Sequence, residues 1–165
     1  MNCCCLSKKE YLCNEKETSN THRMKKILLL ITALLAISTL SAQNYKVGDI
    51  YDVDGKRGVV FEVSEDGKHG KIISTELVSD KMTWYKAMEW GNQLKDGWYI
   101  PSYDELMVLL KVRDEVMPKM TNIRGYYWAT TEFNPDCAWM VSLKTDSRGA
   151  MYKGNKFNVQ PISKF

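Results

Sequence analysis

Apolar and polar residues alternate at both ends of the chain and take a helical spacing in its middle. Ile50-Tyr51-Asp52-Val53 runs into Asp54-Gly55, residues 57–63 alternate into Asp66-Gly67, and Lys71-Ile72-Ile73-Ser74 follows. Asp-Gly pairs between β-type runs favour tight hairpins, because both positions tolerate positive φ, so this stretch predicts a small antiparallel meander. From Thr83 the period lengthens. Trp84, Ala87 and Met88 fall at the three- and four-residue spacing of one buried face, Thr83 stands where a cap belongs, Gly91 weakens the helix, and Asp96-Gly97 ends it. After a short Trp98-Tyr99-Ile100 strand, Pro101 stops any helix and Ser102-Tyr103-Asp104-Glu105 has the form of a capping box. A second helix over residues 103–116 then buries Leu106, Leu109 and Leu110, and Pro118 closes it. Strands return over residues 125–131, 137–143, 150–153 and 157–162. Strands, two helices and strands again predict one α+β domain of antiparallel strands with two helices in the middle of the chain, its N- and C-terminal strands pairing to tie both ends into one sheet.

The stretch before this domain has a different character. Lys25 and Lys26 follow Met24, and residues 27–40 are apolar apart from Thr32, Ser38 and Thr39; the small residues Ser41 and Ala42 come next. That run is shorter than the about 20 residues a bilayer span needs, so it reads as a signal peptide cleaved after Ala42, with Gln43 first in the mature chain and no transmembrane segment there. Cys3, Cys4, Cys5 and Cys13 crowd a polar stretch without periodicity, and neither their spacing nor their surroundings suit a tetrahedral metal site. Residues 1–23 are expected to be a disordered, over-extended start, with translation beginning at Met24. The exported domain, residues 43–165, then keeps Cys137 alone, has no internal disulfide, and is held by its core.

Charge narrows the class of partner. The whole chain carries a formal +3, but residues 43–165 hold 17 basic and 17 acidic residues. A neutral domain lacks the concentrated positive footprint of a nucleic-acid binder or a polybasic membrane-surface protein. Reactive chemistry is equally thin. Cys137 lies in an apolar alternating run beside Trp139 and reads as a buried packing thiol, and His69 sits in the turn Gly67-Lys68-His69-Gly70. Glu132, Asn134 and Asp136 offer oxygens in one loop, with Asn155 and Asn158 further on, against the about six to eight that calcium takes. The reading is a turn, with no metal, no cofactor and no catalytic residues.

Three blocks in order resemble the Lcl C-terminal domain family, a bacterial family of largely unassigned function. The first is Gly58-Val59-Val60-Phe61-Glu62-Val63 with residues 66–74 (D-G-K-H-G-K-I-I-S). The second is Trp84 and Ala87, then Gly97-Trp98-Tyr99-Ile100-Pro101-Ser102-Tyr103-Asp104-Glu105-Leu106, similar to G-W-R-L-P-T-x-x-E-L. The third is Tyr127-Trp128-Ala129-Thr130-Thr131-Glu132, similar to Y-W-S-S-T-E, with Ala138-Trp139 and a closing Val159-Gln160-Pro161-Ile162. Tyr99 and Gln160 stand where the family usually has Arg, so an ion pair or anion contact through those positions is not carried over. The resemblance implies a C-type-lectin-like fold, distantly related to formylglycine-generating enzymes, and implies no activity.

Together these features predict an exported, non-enzymatic binding module of the cell envelope or exterior, monomeric or weakly associating, whose ligand is a glycan or a protein or peptide. Tyr103, Tyr126, Tyr127, Phe133 and Tyr152 are the candidate ligand-binding residues, since such rings stack on sugars and peptides. Trp98, Trp128 and Trp139 are read as core. The alternative is a structural or assembly component of a surface complex, marked by an exposed apolar patch or a pairing edge.

Overall fold

A computed structural model describes residues 43–165 other than 77–79, 122 and 124. The expected signal peptide, residues 24–42, and the expected disordered start, residues 1–23, lie outside the described residues. The meander forms as β1 (Ile50–Val53), β2 (Lys56–Val63) and β3 (Gly70–Ser74), each antiparallel to the next. Asp54 and Gly55 both take positive φ, 52° and 76°, which is what a two-residue hairpin of matching twist requires. The middle of the chain gives α1 (Trp84–Gly91), β4 (Trp98–Tyr99), α2 (Tyr103–Lys111), α3 (Arg113–Val116) and a 3-10 turn at Met117–Lys119. The rest forms β5 (Tyr126–Glu132), β6 (Cys137–Ser142), β7 (Arg148–Tyr152) and β8 (Ile162–Lys164).

These strands make two sheets. The first runs β1-β2-β3-β8-β4, so the closing strand inserts between the meander and β4 and ties both ends of the domain together. The second is β5-β6-β7. The α+β class and its antiparallel strands are those expected from the sequence. Both faces of the second sheet are covered. Tyr127, Ala129 and Val141 join Val59, Phe61, Ile73, Leu106, Leu109 and Ile162 in one buried cluster, while Trp128, Ala138 and Met140 join Trp84, Ala87, Ile100 and Val159 in another. Burying each of Leu106 and Leu109 stabilises by about 1.5–3 kcal/mol relative to exposure. Where the indoles are buried, their N–H groups are matched: Trp84 Nε1 donates to the Ala129 carbonyl at 2.8 Å and Trp128 Nε1 to that of Met82 at 3.0 Å.

Two expectations are corrected. The second helix does not run unbroken to Val116: Val112 adopts φ −112°, ψ 18°, its N–H turns to the Leu109 carbonyl, and a new short helix begins at Arg113. The β-branched Val112 packs against the first core cluster there, and Pro118 lies inside the following 3-10 turn, where its missing N–H is tolerated. The last strand begins at Ile162, with Phe157 and Asn158 making only isolated bridges, to Met82 and Tyr127. Among the described residues no helix is long and apolar enough to cross a membrane.

Candidate functional site

The corner between β4 and α2 is built as its sequence predicts. Ser102 Oγ accepts the Glu105 N–H at 3.2 Å and Glu105 Oε2 accepts the Ser102 N–H at 2.9 Å, closing two donors that a helix start leaves open. The other oxygen of Glu105 accepts the Tyr99 hydroxyl at 2.8 Å and lies 3.3 Å from Lys71 Nζ, which also reaches Glu62 at 3.1 Å. Burial acts to raise the Glu105 pKa, but the Ser102 N–H, the Tyr99 hydroxyl and the Lys71 ammonium outweigh it and hold the carboxyl below its usual range. For Lys71 burial acts downward and the two carboxylates prevail, so its pKa is raised. Burial, and then Glu105, push the Tyr99 phenol up.

Around this knot lies a cavity of about 520 Å³ lined by Lys56, Lys71, Gly97, Tyr99, Glu105, Ser163 and Lys164. Lys56 Nζ donates to Ser163 Oγ at 3.0 Å and to the Lys164 carbonyl at 3.3 Å. Both Glu105 oxygens are taken by protein donors, and the hydroxyl beside Lys56, that of Ser163, is buried and donates to the Gly97 carbonyl at 3.0 Å. This lining anchors α2 to the first sheet. None of these lysines stands out in the sequence, because the cavity joins separate strands.

What the knot positions is the first turn of α2, which carries Tyr103. The Tyr103 N–H donates to Thr131 Oγ1 at 2.9 Å and the Thr130 N–H to the Pro101 carbonyl at 2.9 Å, pinning the corner to β5. The Tyr103 ring then stacks on Trp139, with centroids 4.5 Å apart and planes inclined by 34°. Phe133 meets the same indole edge-on at 5.3 Å and 90°. Phe133 sits in the β5–β6 turn with 56% of its surface exposed. That turn is stiff. Asn134 Oδ1 accepts the N–H groups of Asp136 and Cys137 at 3.0 and 2.7 Å, and Lys153, only 3% exposed, donates to Glu132 Oε2 and to the Pro135 carbonyl at 2.7 Å each. The Lys153 ammonium also lies 4.6 Å above the Trp84 ring.

The register of β6 and β7 extends this surface. Cys137 and Trp139 face the same side of the sheet, and Cys137 lies opposite Tyr152, so Tyr152, 59% exposed, shares that side. Three of the five sequence candidates, Tyr103, Phe133 and Tyr152, therefore fall on one face. The other two do not. Tyr127 is 2% exposed within the first core cluster, where its ring is inaccessible to a ligand, and Tyr126 packs edge-on against Phe157 at 5.9 Å beside the second cluster. Trp139, read as core, does pack against the first cluster but is only half-buried. Cys137 is half-buried as well, because it starts β6 at the turn. The hairpin spacing from Phe133 to Trp139 was the available signal. Asn134 and Glu132, weighed above as calcium ligands, are spent on the turn and on Lys153, and His69 is a surface turn residue 3.9 Å from Asp66.

No family model matches the chain, and no curated protein does. Among solved structures, botrocetin is similar over 59% of this chain and 89% of its own, at 11% identity and a TM-score of 0.40. A chain from the complex of botrocetin with a mutant von Willebrand Factor A1 domain is similar over 59% of this chain and 91% of its own, at 12% identity and a TM-score of 0.37.

Proposed function

We propose that the protein is an exported, non-enzymatic binding module of the cell envelope or exterior, with a C-type-lectin-like fold of the Lcl C-terminal domain type, that holds a glycan or a peptide on the aromatic surface centred on Trp139. The observation that carries this reading is the convergence of Tyr103 and Phe133 on one half-buried indole, with Phe133 exposed at the tip of a braced turn. Rings fixed by such a scaffold lose little freedom on binding, and their edges accept the apolar faces of sugars or side chains. Export rests on the leader that ends at Ala42. Glycan-array and peptide-library screens of wild type and Phe133→Ala test the reading. Loss of the exposed ring is expected to weaken any hit by about tenfold; no hit at millimolar ligand, or hits indifferent to Phe133→Ala, would sink it. The second reading, a structural or assembly component, draws support from the exposed Met151 and Tyr152 on β7, at the edge of the second sheet.

A further inference from the structure

The outer edge of β7 has a pattern that fits one particular strand. The Ser142 N–H donates to the Ser147 carbonyl at 2.7 Å and the Lys153 N–H to the Asp136 carbonyl at 2.9 Å, which fixes the alternation of the β6–β7 ladder. Gly149 and Met151 consequently direct their backbone groups toward β6, while Arg148, Ala150 and Tyr152 direct theirs away from it. Among the described residues, of those outward groups only the Tyr152 carbonyl has a backbone partner, the Asn155 N–H at 2.9 Å. An edge of unpaired donors and acceptors is a template for another strand.

From this we infer that β7 pairs with β7 of a second copy, antiparallel about a two-fold axis through Ala150. In that register the facing side chains are compatible at each position, and of the outward backbone groups only the Arg148 N–H meets a carbonyl already in use, that of the partner subunit's Tyr152. Ala150 faces Ala150 of the partner subunit, and the two exchange both backbone bonds without bulk between them. Arg148 faces the partner subunit's Tyr152 at each end, setting a guanidinium beside an exposed phenol ring, and the Tyr152 N–H can donate to the partner subunit's Arg148 carbonyl. On the other side of the sheet the exposed Met151 faces Gly149 of the partner subunit, which has no side chain to obstruct it. A shift by two residues leaves one outward residue on each copy unpaired, and a shift by one turns the unpaired groups away from each other. The two sheets become one of six strands, and the aromatic surfaces of both copies face the same way along it.

A five-residue edge makes a small interface, so the expected association is weak and set by concentration. Sedimentation equilibrium on the purified protein from about 10 µM to about 1 mM reads it without any ligand, so its failure is separate from failure of the glycan or peptide reading. Wild type is expected to climb from monomer mass toward dimer mass over that range. Ala150→Pro removes an outward N–H while sparing the bonds to β6, as edge positions allow, and is expected to remain a monomer. Tyr152→Arg sets like charges opposite each other and is expected to weaken pairing by about tenfold or more. Exchanging the pair, Arg148→Tyr with Tyr152→Arg, restores the match and the association. The exchange also decides the matter if the proline variant does not fold. A wild type that stays monomeric at the highest concentration, a folded Ala150→Pro that dimerises like wild type, or an exchange no better than Tyr152→Arg alone overturns the inference.

Discussion

Replacing Glu105 by Gln isolates the knot that fixes α2. An amide can keep its oxygen on the Ser102 N–H, since capping boxes accept Gln, but its NH2 must then face the Tyr99 hydroxyl and the Lys71 ammonium. The phenol can turn and accept. Lys71 cannot, and it keeps only Glu62, at 3.1 Å. The loss is therefore a charge-assisted contact at 3.3 Å plus the strengthening of a phenol bond at 2.8 Å, in a setting where Lys71 and Glu105 side chains are each less than one-fifth exposed. Hydrogen bonds to charged groups contribute about 1.5–3 kcal/mol, and the surviving Glu62 pair keeps the variant near the lower half of that range. Urea unfolding followed by tryptophan fluorescence at pH 7 measures it. The pH dependence supplies a second reading. A carboxyl whose folded pKa is depressed contributes stability that is complete above its unfolded value, about 4.3, and lost as pH falls through the folded one. The gap between wild type and Glu105→Gln should thus be full at pH 7 and shrink toward pH 3. A gap under about 0.5 kcal/mol at pH 7, or one of constant size down to pH 3, refutes the reasoning.

Two further substitutions separate scaffold from surface. Ser102→Ala should cost about 0.5–2 kcal/mol in the same unfolding assay, because the Glu105 N–H loses its acceptor, while ligand affinity is unchanged. Tyr127→Ala should cost about 3–5 kcal/mol as a buried aromatic truncation, whereas Phe133→Ala, at an exposed turn, should change stability by less than about 0.5 kcal/mol; thermal melts of the two variants side by side read the contrast.

Local signals carried much of the fold into the sequence. The Asp-Gly turns and the Thr83 and Ser102 caps each depend on a few neighbouring residues and formed where the pattern placed them, whereas β2, expected to alternate, buries four successive residues from Gly58 to Phe61. Features that depend on distant residues were not legible. Lys71 reaches Glu105 from another hairpin, and Gln160, only 3% exposed, uses its amide to hold the Ser74 and Glu76 carbonyls at 2.6 and 2.8 Å, contacts that no periodicity announces. The candidate site divided for a related reason. In Tyr126-Tyr127-Trp128 alternation distinguishes the faces of a sheet, but here both faces are covered, so it cannot separate a core ring from an exposed one. Trp139 packs on the first core cluster, in keeping with its reading as core, but at the β5–β6 turn beside Phe133 it is only half-buried.

The claim that Trp139 is the centre of a binding surface is tested most directly by following the indole N–H signals of the five tryptophans during titration with a glycan or peptide taken from the screens. Trp84 and Trp128 donate their indole N–H groups inside the protein and serve as internal controls. The account predicts that the Trp139 signal moves in a saturable way while those two hold still, and that Phe133→Ala weakens the titration without displacing the controls. A ligand that saturates while leaving Trp139 unmoved, or one that instead moves Trp98 in the pocket it lines with Tyr51, Val53 and Asp96, contradicts it.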